Sequence, residues 1–185
     1  MRKLTSFTFI TLNGFYKGLN EDTSWHIHGG EAAEFSRKSS GSGNVLLFGR
    51  KTYEMMYSFW PSPMAAQHFP EVAVNMNKAE KIVVSQTLTT ASWNNSSVLQ
   101  GDLVTEIAKL KSTPGNDITI LGSGSIITQL TDAGLIDTYQ LMIDPIILKE
   151  GVNIFNGIKN NVSIQLKDVT VLKNDGVMLA TYIKV

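Results

Sequence analysis

Three features of the sequence predict an α/β fold with a mostly parallel central sheet, flanking helices and a C-terminal antiparallel hairpin. Two short apolar runs, Val45-Leu46-Leu47-Phe48 and Ile118-Thr119-Ile120-Leu121, each lead into a glycine turn and then a helical pattern. The turns are Gly49-Arg50-Lys51-Thr52 and Gly122-Ser123-Gly124-Ser125. The third feature is a pair of strand-like segments, 164–172 and 177–184, around Asn174-Asp175-Gly176, which is a hairpin signal.

The elements follow in order. Residues 3–12, rich in Thr, Phe and Ile, read as a strand that ends at Asn13-Gly14. A polar loop through Gly18-Leu19-Asn20-Glu21-Asp22 leads to a helix over 30–39, with Ala32, Ala33 and Phe35 inward and Glu31, Glu34, Arg37 and Lys38 outward. Ser39-Ser40-Gly41-Ser42-Gly43 breaks the chain before the strand Val45–Phe48, after which Thr52 is placed to cap a short helix carrying Tyr53, Met55 and Met56. Trp60-Pro61-Ser62-Pro63 reads as irregular and Glu71–Asn77 as helical. Lys81–Ser85 is the next strand, and Asp102 caps a helix whose Leu103, Ile107 and Leu110 share one face. Pro114-Gly115-Asn116 ends that helix. A helix from Ser125 carries Ile126, Ile127 and Leu130 and stops at Gly134, and Tyr139–Asp144 is a strand. Nothing marks a second domain, so residues 1–185 read as one unit.

Sixteen basic residues balance sixteen acidic ones among 185. A neutral chain lacks the basic face that a polyanion requires, so neither nucleic acid nor membrane is expected as a partner. With no cysteine, disulfides, thiolate metal sites and cysteine nucleophiles are excluded. The N-terminus lacks the apolar stretch and cleavage site of a signal peptide, and no run approaches the roughly 20 apolar residues of a membrane span. A soluble cytoplasmic protein is the expectation.

A strand–turn–helix unit aims backbone N–H groups and a helix N-terminus at an anion. Arg50 and Lys51 add charge to the first turn, whereas the second is small and neutral. One turn suits a terminal phosphate and the other a closely approached pyrophosphate, which suggests a phosphorylated dinucleotide. Gly122-x-Gly124 lacks the third glycine of the full dinucleotide fingerprint, since Ile127 stands there. Asp144, about 20 positions onward, would instead suit a free ribose hydroxyl. His26 and His28, with Glu31, lack a third strong metal ligand and read as solvated loop residues. Gly41-Ser42-Gly43 precedes a strand rather than following one, the wrong context for a nucleophile. Phe35, Tyr53, Tyr57, Phe59 and Trp60 read either as plain core or as the lining of a pocket for a flat heterocycle.

Taken in order, these segments resemble the dihydrofolate reductase-like superfamily. Within it they are most similar to the C-terminal reductase domain of the riboflavin-biosynthesis deaminase-reductase. Thr11-Leu12-Asn13-Gly14-Phe15 is similar to its opening motif, and Gly49-Arg50-Lys51-Thr52-Tyr53-Glu54 to its first turn and helix. Ile82-Val83-Val84-Ser85, Gly122-Ser123-Gly124-Ser125, Gly134-Leu135-Ile136-Asp137, Pro145 and Gly151-Val152-Asn153-Ile154-Phe155 follow in the family order. The resemblance implies a dihydrofolate reductase-like fold and an NADPH-dependent reductase of a pterin-, pyrimidine- or flavin-like heterocycle, in the form of a homodimer. It implies that Gly49, Arg50, Lys51, Thr52, Ser85 and Gln86 hold the ribose phosphate, and that Gly122, Ser123, Gly124, Ser125 and Ile126 pass the pyrophosphate and nicotinamide. Phe35, Tyr53, Tyr57 and Trp60 are then candidates for the substrate pocket. Asn13 and Leu121 stand where relatives often carry acids, and Thr138 where Glu is common. The proton for reduction is therefore expected from a water ordered by Asn13, or from Glu34 on the first helix. The rival expectation is a non-catalytic NADP(H)-binding regulatory module.

Overall fold

The computed structural model describes residues 1–185. Its centre is a sheet of eight strands: β1 (Leu4–Thr11), β3 (Val45–Gly49), β4 (Lys81–Val84), β5 (Ser96–Val98), β6 (Ile118–Leu121), β7 (Thr138–Asp144), β9 (Ile164–Leu172) and β10 (Val177–Lys184). The spatial order is β5-β4-β3-β6-β1-β7-β10-β9. The first six are parallel, with Leu47 opposite Ile120 and Thr11 opposite Asp144. Strand β10 then runs antiparallel to both β7 and β9. Two short strands, β2 (Phe15–Lys17) and β8 (Val152–Asn153), pair beside the sheet.

The near-continuous apolar runs of β3 and β6 follow from burial on both faces. On one face Val45, Leu47, Ile118 and Ile120 pack against Ile107 of α5 (Leu103–Ser112) and Ile126, Ile127 and Leu130 of α6 (Gly124–Asp132). On the other, Leu46, Phe48 and Val83 meet Tyr53 of α2 (Arg50–Phe59) and Val72 and Met76 of α4 (Pro70–Lys78). Phe7 and Met142 continue this face and receive Ala32 of α1 (Gly30–Ser40). Leu47, Ile107, Ile118, Ile120 and Leu130 are fully buried. Each contributes roughly 1.5–3 kcal/mol by leaving water.

Strand β3 feeds α2 on one face, and its neighbour β6 feeds α6 on the other. The chain continues outward to β4 and β5 from the first, and crosses to β7 from the second. A topological switch point therefore lies between β3 and β6, and at such a point the carboxyl ends of the strands open into a crevice.

The amino end of β1, opposite the crevice, is clamped. The buried Lys111 ammonium lies 2.6 Å from Asp137 Oδ2 and also donates to the Leu135 carbonyl. Asp137 Oδ2 in turn accepts the Leu4 N–H at 2.7 Å. Asp137 thus joins α5 to the entry of β1, away from the crevice.

Several local expectations are corrected. Thr52 is the third residue of α2 and does not cap it; the N-cap is Gly49, which has no side chain to do so. The stretch after Trp60 holds one unforeseen helix, α3 (Pro63–His68), ahead of the expected α4; Pro63 and Pro70 each sit at a helix start, where proline's missing N–H costs nothing. Helix α6 begins at Gly124 rather than Ser125. Strands β2, β5 and β8, each of two or three residues, carry too little pattern to be read from sequence. No helix is long and apolar enough to cross a membrane.

Candidate functional site

The two glycine turns face each other across the switch point. Ser123 holds them together: its Oγ accepts the Gly49 N–H at 3.0 Å and donates to the Leu121 carbonyl at 3.0 Å. To make this bridge the chain takes left-handed geometry twice, at Gly122 (φ +55°) and Ser123 (φ +60°). Glycine accepts that conformation freely, whereas serine does so at a cost of order 1 kcal/mol or more. The strain aims α6 into the crevice.

Neither α2 nor α6 has a side-chain cap, although α3 and α5 are capped by Ser62 and Asp102. The first-turn N–H groups of an α-helix have no internal acceptor, so both starts present free donors and the positive end of a helix dipole. They open on one groove of about 600 Å³. Its lining includes Gly49, Arg50, Lys51, Thr52, Ser85, Gln86, Ser123, Gly124, Ser125 and Ile126, ten of the eleven residues that the sequence assigns to a cofactor. The eleventh, Gly122, lies directly beneath, with its Cα side toward Thr52. A groove of this size fits one dinucleotide-sized ligand.

The groove also holds residues that the sequence did not single out. Tyr16 and Lys17 of β2 and Glu21 line it opposite the turns. The Tyr16 ring lies so close over Gly124 that a Cβ there would stand 2.7 Å from it. Lys17 and Lys51 both donate to the Glu21 carboxylate, which they hold below the usual carboxylate range, Lys17 contributing most. Arg50 pairs with Glu54 one helical turn on, at 2.9 Å and 3.0 Å.

The two expected proton sources both lie outside the groove lining. Asn13 is spent on structure: its Oδ1 accepts from Thr11 Oγ1 (2.8 Å) and the Leu148 N–H (3.3 Å), while Nδ2 donates to the Leu148 carbonyl (2.8 Å). It braces the turn after β1 and lies outside the groove lining. Glu34 is exposed, and hydrogen bonds from Arg37 at 2.8 Å keep its carboxyl down at about 2. Such a group is ionised at neutral pH and has no proton to give.

The aromatic candidates divide between two clusters, and none lines the groove. Tyr53 is buried core, accepting the Trp93 N–H on its hydroxyl at 2.9 Å. Tyr57 stacks on Tyr53 at 5.8 Å, and Trp60 packs beside them with its indole N–H on Met56 Sδ. Phe35 sits elsewhere, 5.3 Å from Phe7. Tyr53 is thus core, and Trp60 packs half-buried against the same cluster.

Asp144 and His26 both depart from expectation. Rather than facing a ribose, Asp144 is buried at the carboxyl end of β7, where both its oxygens meet His26 Nδ1 at 2.9 Å and 3.0 Å. His26 is likewise buried rather than solvated, with its ring stacked on Phe9 at 3.5 Å and 14°. His28 stands edge-on to it at 4.7 Å. The contact spans 118 residues, so nothing in local spacing announces it. His26 Nε2 makes no hydrogen bond, and it is not among the sealed unpaired atoms, which are Thr8 Oγ1 and Ser96 Oγ alone. With the side chain only 2% exposed, that nitrogen lies at the very edge of the buried pair. β7 lies two strands from β6 across β1. At about 4.8 Å per strand the pair sits roughly 10 Å to one side of the second glycine turn. Phe35 and Phe7 neighbour it through Phe9.

The turn of the C-terminal hairpin packs on the start of α1. Asp175 in its turn accepts the Ala32 N–H at 2.8 Å and so caps α1 in trans. Gly30 (φ +55°) must be glycine, because a Cβ would lie 2.1 Å from Asp175 Oδ1. No group of histidine, aspartate and glutamate is arranged to hold a metal ion.

Comparison with known proteins agrees with this architecture. The chain is 27% identical over 159 residues to the uncharacterized protein YyaP of Bacillus subtilis, covering 85% of this chain and 82% of that one. Its fold is similar to a putative riboflavin biosynthesis protein from Shewanella (TM-score 0.74, 20% identity, 99% of both chains). It is also similar to a diaminohydroxyphosphoribosylaminopyrimidine deaminase/5-amino-6-(5-phosphoribosylamino)uracil reductase from Thermotoga maritima (TM-score 0.69, 14% identity). All of this chain is matched there, over 57% of that longer one. Residues 2–178 match the model of the RibD C-terminal domain, and the chain belongs to that family.

Proposed function

We propose that this protein is a reductase that uses NADPH to reduce a pyrimidine-, pterin- or flavin-like heterocycle. The observation that carries the reading is the pair of uncapped helix starts, locked together by Ser123 over one groove that also contains Arg50, Lys51 and Lys17. Membership of the RibD C-terminal domain family and the likeness to the Thermotoga reductase support the same chemistry.

The residues present fit such a cofactor. The free amides of α2 and α6 would receive phosphate oxygens, and Arg50 would exchange Glu54 for a ribose phosphate, with Ser85 and Gln86 beside it. When bound, a reduced nicotinamide supplies the hydride for a C=N or C=O bond. The chain must supply position and a proton. The His26–Asp144 pair, which lies beside the groove and not in its lining, is the candidate proton source. Asp144 would hold the ring through Nδ1 and leave Nε2 as the atom that would pass a proton to the substrate nitrogen or oxygen. Phe9 orients the ring from below.

The deciding experiment has two stages. Calorimetric titration should give tighter binding of NADPH than of NADH. NADPH oxidation should then accelerate on addition of the phosphoribosylaminouracil or a dihydropterin. Failure of both nucleotides to bind would remove the reading. Binding without turnover of any such heterocycle would leave the NADP(H)-binding module instead.

A further inference from the structure

Lys17 and Lys51 come from different elements, yet their ammonium groups converge on one carboxylate. Glu21 Oε1 lies 2.8 Å from Lys17 Nζ and 2.9 Å from Lys51 Nζ, and Oε2 lies 2.7 Å from Lys17 Nζ. Lys51 opens α2 at the first glycine turn. Lys17 follows Tyr16, whose ring covers Gly124 at the second. The point where the two cations meet is therefore inside the groove and between the two helix starts.

The segment that delivers Glu21 is held in an unfavoured conformation. Asn20 (φ +54°) and Glu21 (φ +65°) are consecutive residues in the left-handed region, and neither is glycine. A side chain that is 48% exposed is brought there at the expense of backbone strain, while Lys17 beneath it is only 16% exposed. Two cations, one of them well covered, around a bidentate anion have the geometry that a phosphate group demands.

We propose that Lys17 and Lys51 form a phosphate seat, that Glu21 occupies it as an internal stand-in for the phosphate, and that a phosphorylated ligand binds by displacing Glu21 together with the Tyr16 ring. This rests on the nucleotide-binding reading of the groove. A dianionic phosphate outcompetes a single carboxylate for two ammonium groups, whereas an uncharged or weakly charged ligand does not. The groove thereby selects phosphorylated ligands over nucleosides and free bases. Because the seat lies between the turns, the pyrophosphate common to NADPH and NADH is its first occupant, and a ribose phosphate is the other source of the same chemistry.

The test compares the intact protein with Glu21→Gln and Glu21→Ala. Both changes lie in an exposed segment and leave the core untouched. The probes are NADPH, NADH and inorganic pyrophosphate, followed by calorimetry, with Trp25 fluorescence reporting displacement of the segment and Trp25→Phe assigning the signal. Removing an internal competitor that fills the seat most of the time tightens binding by about three- to tenfold. A gain for both nucleotides and for pyrophosphate places the pyrophosphate in the seat; a gain for NADPH alone places the ribose phosphate there. Lys17→Ala should weaken whichever probe gains. Affinities within twofold of the unaltered protein for all three probes overturn the proposal, even where NADPH binds well. If neither nucleotide binds but pyrophosphate binds more tightly to Glu21→Gln, the seat stands and the cofactor reading falls.

Discussion

At the residue scale, the proposed cofactor preference rests on charge placement and the proposed proton transfer on one buried ring. Arg50 is 41% exposed and already paired with Glu54, so exchanging that carboxylate for a phosphate yields only the difference between two ion pairs. A charge-assisted bond to a phosphate contributes roughly 1.5–3 kcal/mol, of which the lost surface pair with Glu54 offsets about 0–1 kcal/mol. Arg50→Ala should therefore weaken NADPH by about tenfold or more and leave NADH nearly unchanged, which paired titrations will resolve. His26→Gln keeps a polar ring-sized group but cannot hold a transferable proton. Turnover should fall by roughly a hundredfold or more with NADPH affinity intact, while Glu34→Gln should leave it unaltered. A fully active His26→Gln protein would withdraw the proton assignment. Arg50 and Lys51 were legible because their neighbours in sequence are their neighbours in the groove. His26 was not, because its meaning comes from Asp144 at the end of a strand 118 residues away. Asn13 and Glu34 lie outside the groove lining, Asn13 bonded to Leu148 135 residues on and Glu34 to Arg37 one helical turn away.

At the element scale, the strand–glycine–helix units were readable because each combines a fully apolar run with an abrupt change of period. Ile118–Leu121 and the hairpin strands 164–172 and 177–184 have the bounds that the sequence suggests. Elements of two or three residues, such as β5 and β8, are fixed by their neighbours instead. After Trp60 the helix over 71–77 is legible as α4, whereas α3 is hidden because Pro63, which looks like a breaker, serves as a helix start. The second glycine turn yields a prediction of its own. Gly124 has ordinary helical geometry, so its lack of a side chain matters only for space, and the Tyr16 ring fills that space in the structure. Gly124→Val should push Tyr16 aside and close the pyrophosphate path at once. The protein should stay folded by circular dichroism while nucleotide binding is lost, and normal NADPH binding would make this turn purely structural.

At the scale of the whole molecule, the switch point between β3 and β6 could be inferred only loosely from the alternation of strands and helices, since strand order is not written in local pattern. Sheet closure is a separate matter. Strand β9 is an edge: it pairs with β10 on one side and with nothing on the other. Eight of its nine residues are exposed. They include Ile164 (38%), Leu166 (52%), Val169 (41%) and Val171 (57%), with Met178 (37%) beside Val171 on β10. An uncovered edge this long and apolar invites pairing with another chain, and natural proteins rarely leave one bare. The charge that usually blunts such an edge is sparse here, with Lys167 and Asp168 alone among nine residues. A second copy is the simplest cover, because a two-fold contact buries the same patch on both partners. The homodimer is a proposal on these grounds. Light scattering at micromolar concentration should return twice the 20.3 kDa chain mass. Leu166→Lys with Val171→Lys should halve it, with little loss of nucleotide affinity, since the groove lies at the carboxyl ends of β3, β4 and β6, across the sheet from β9. A monomeric mass for the unaltered chain would leave β9 as an edge that this protein tolerates uncovered.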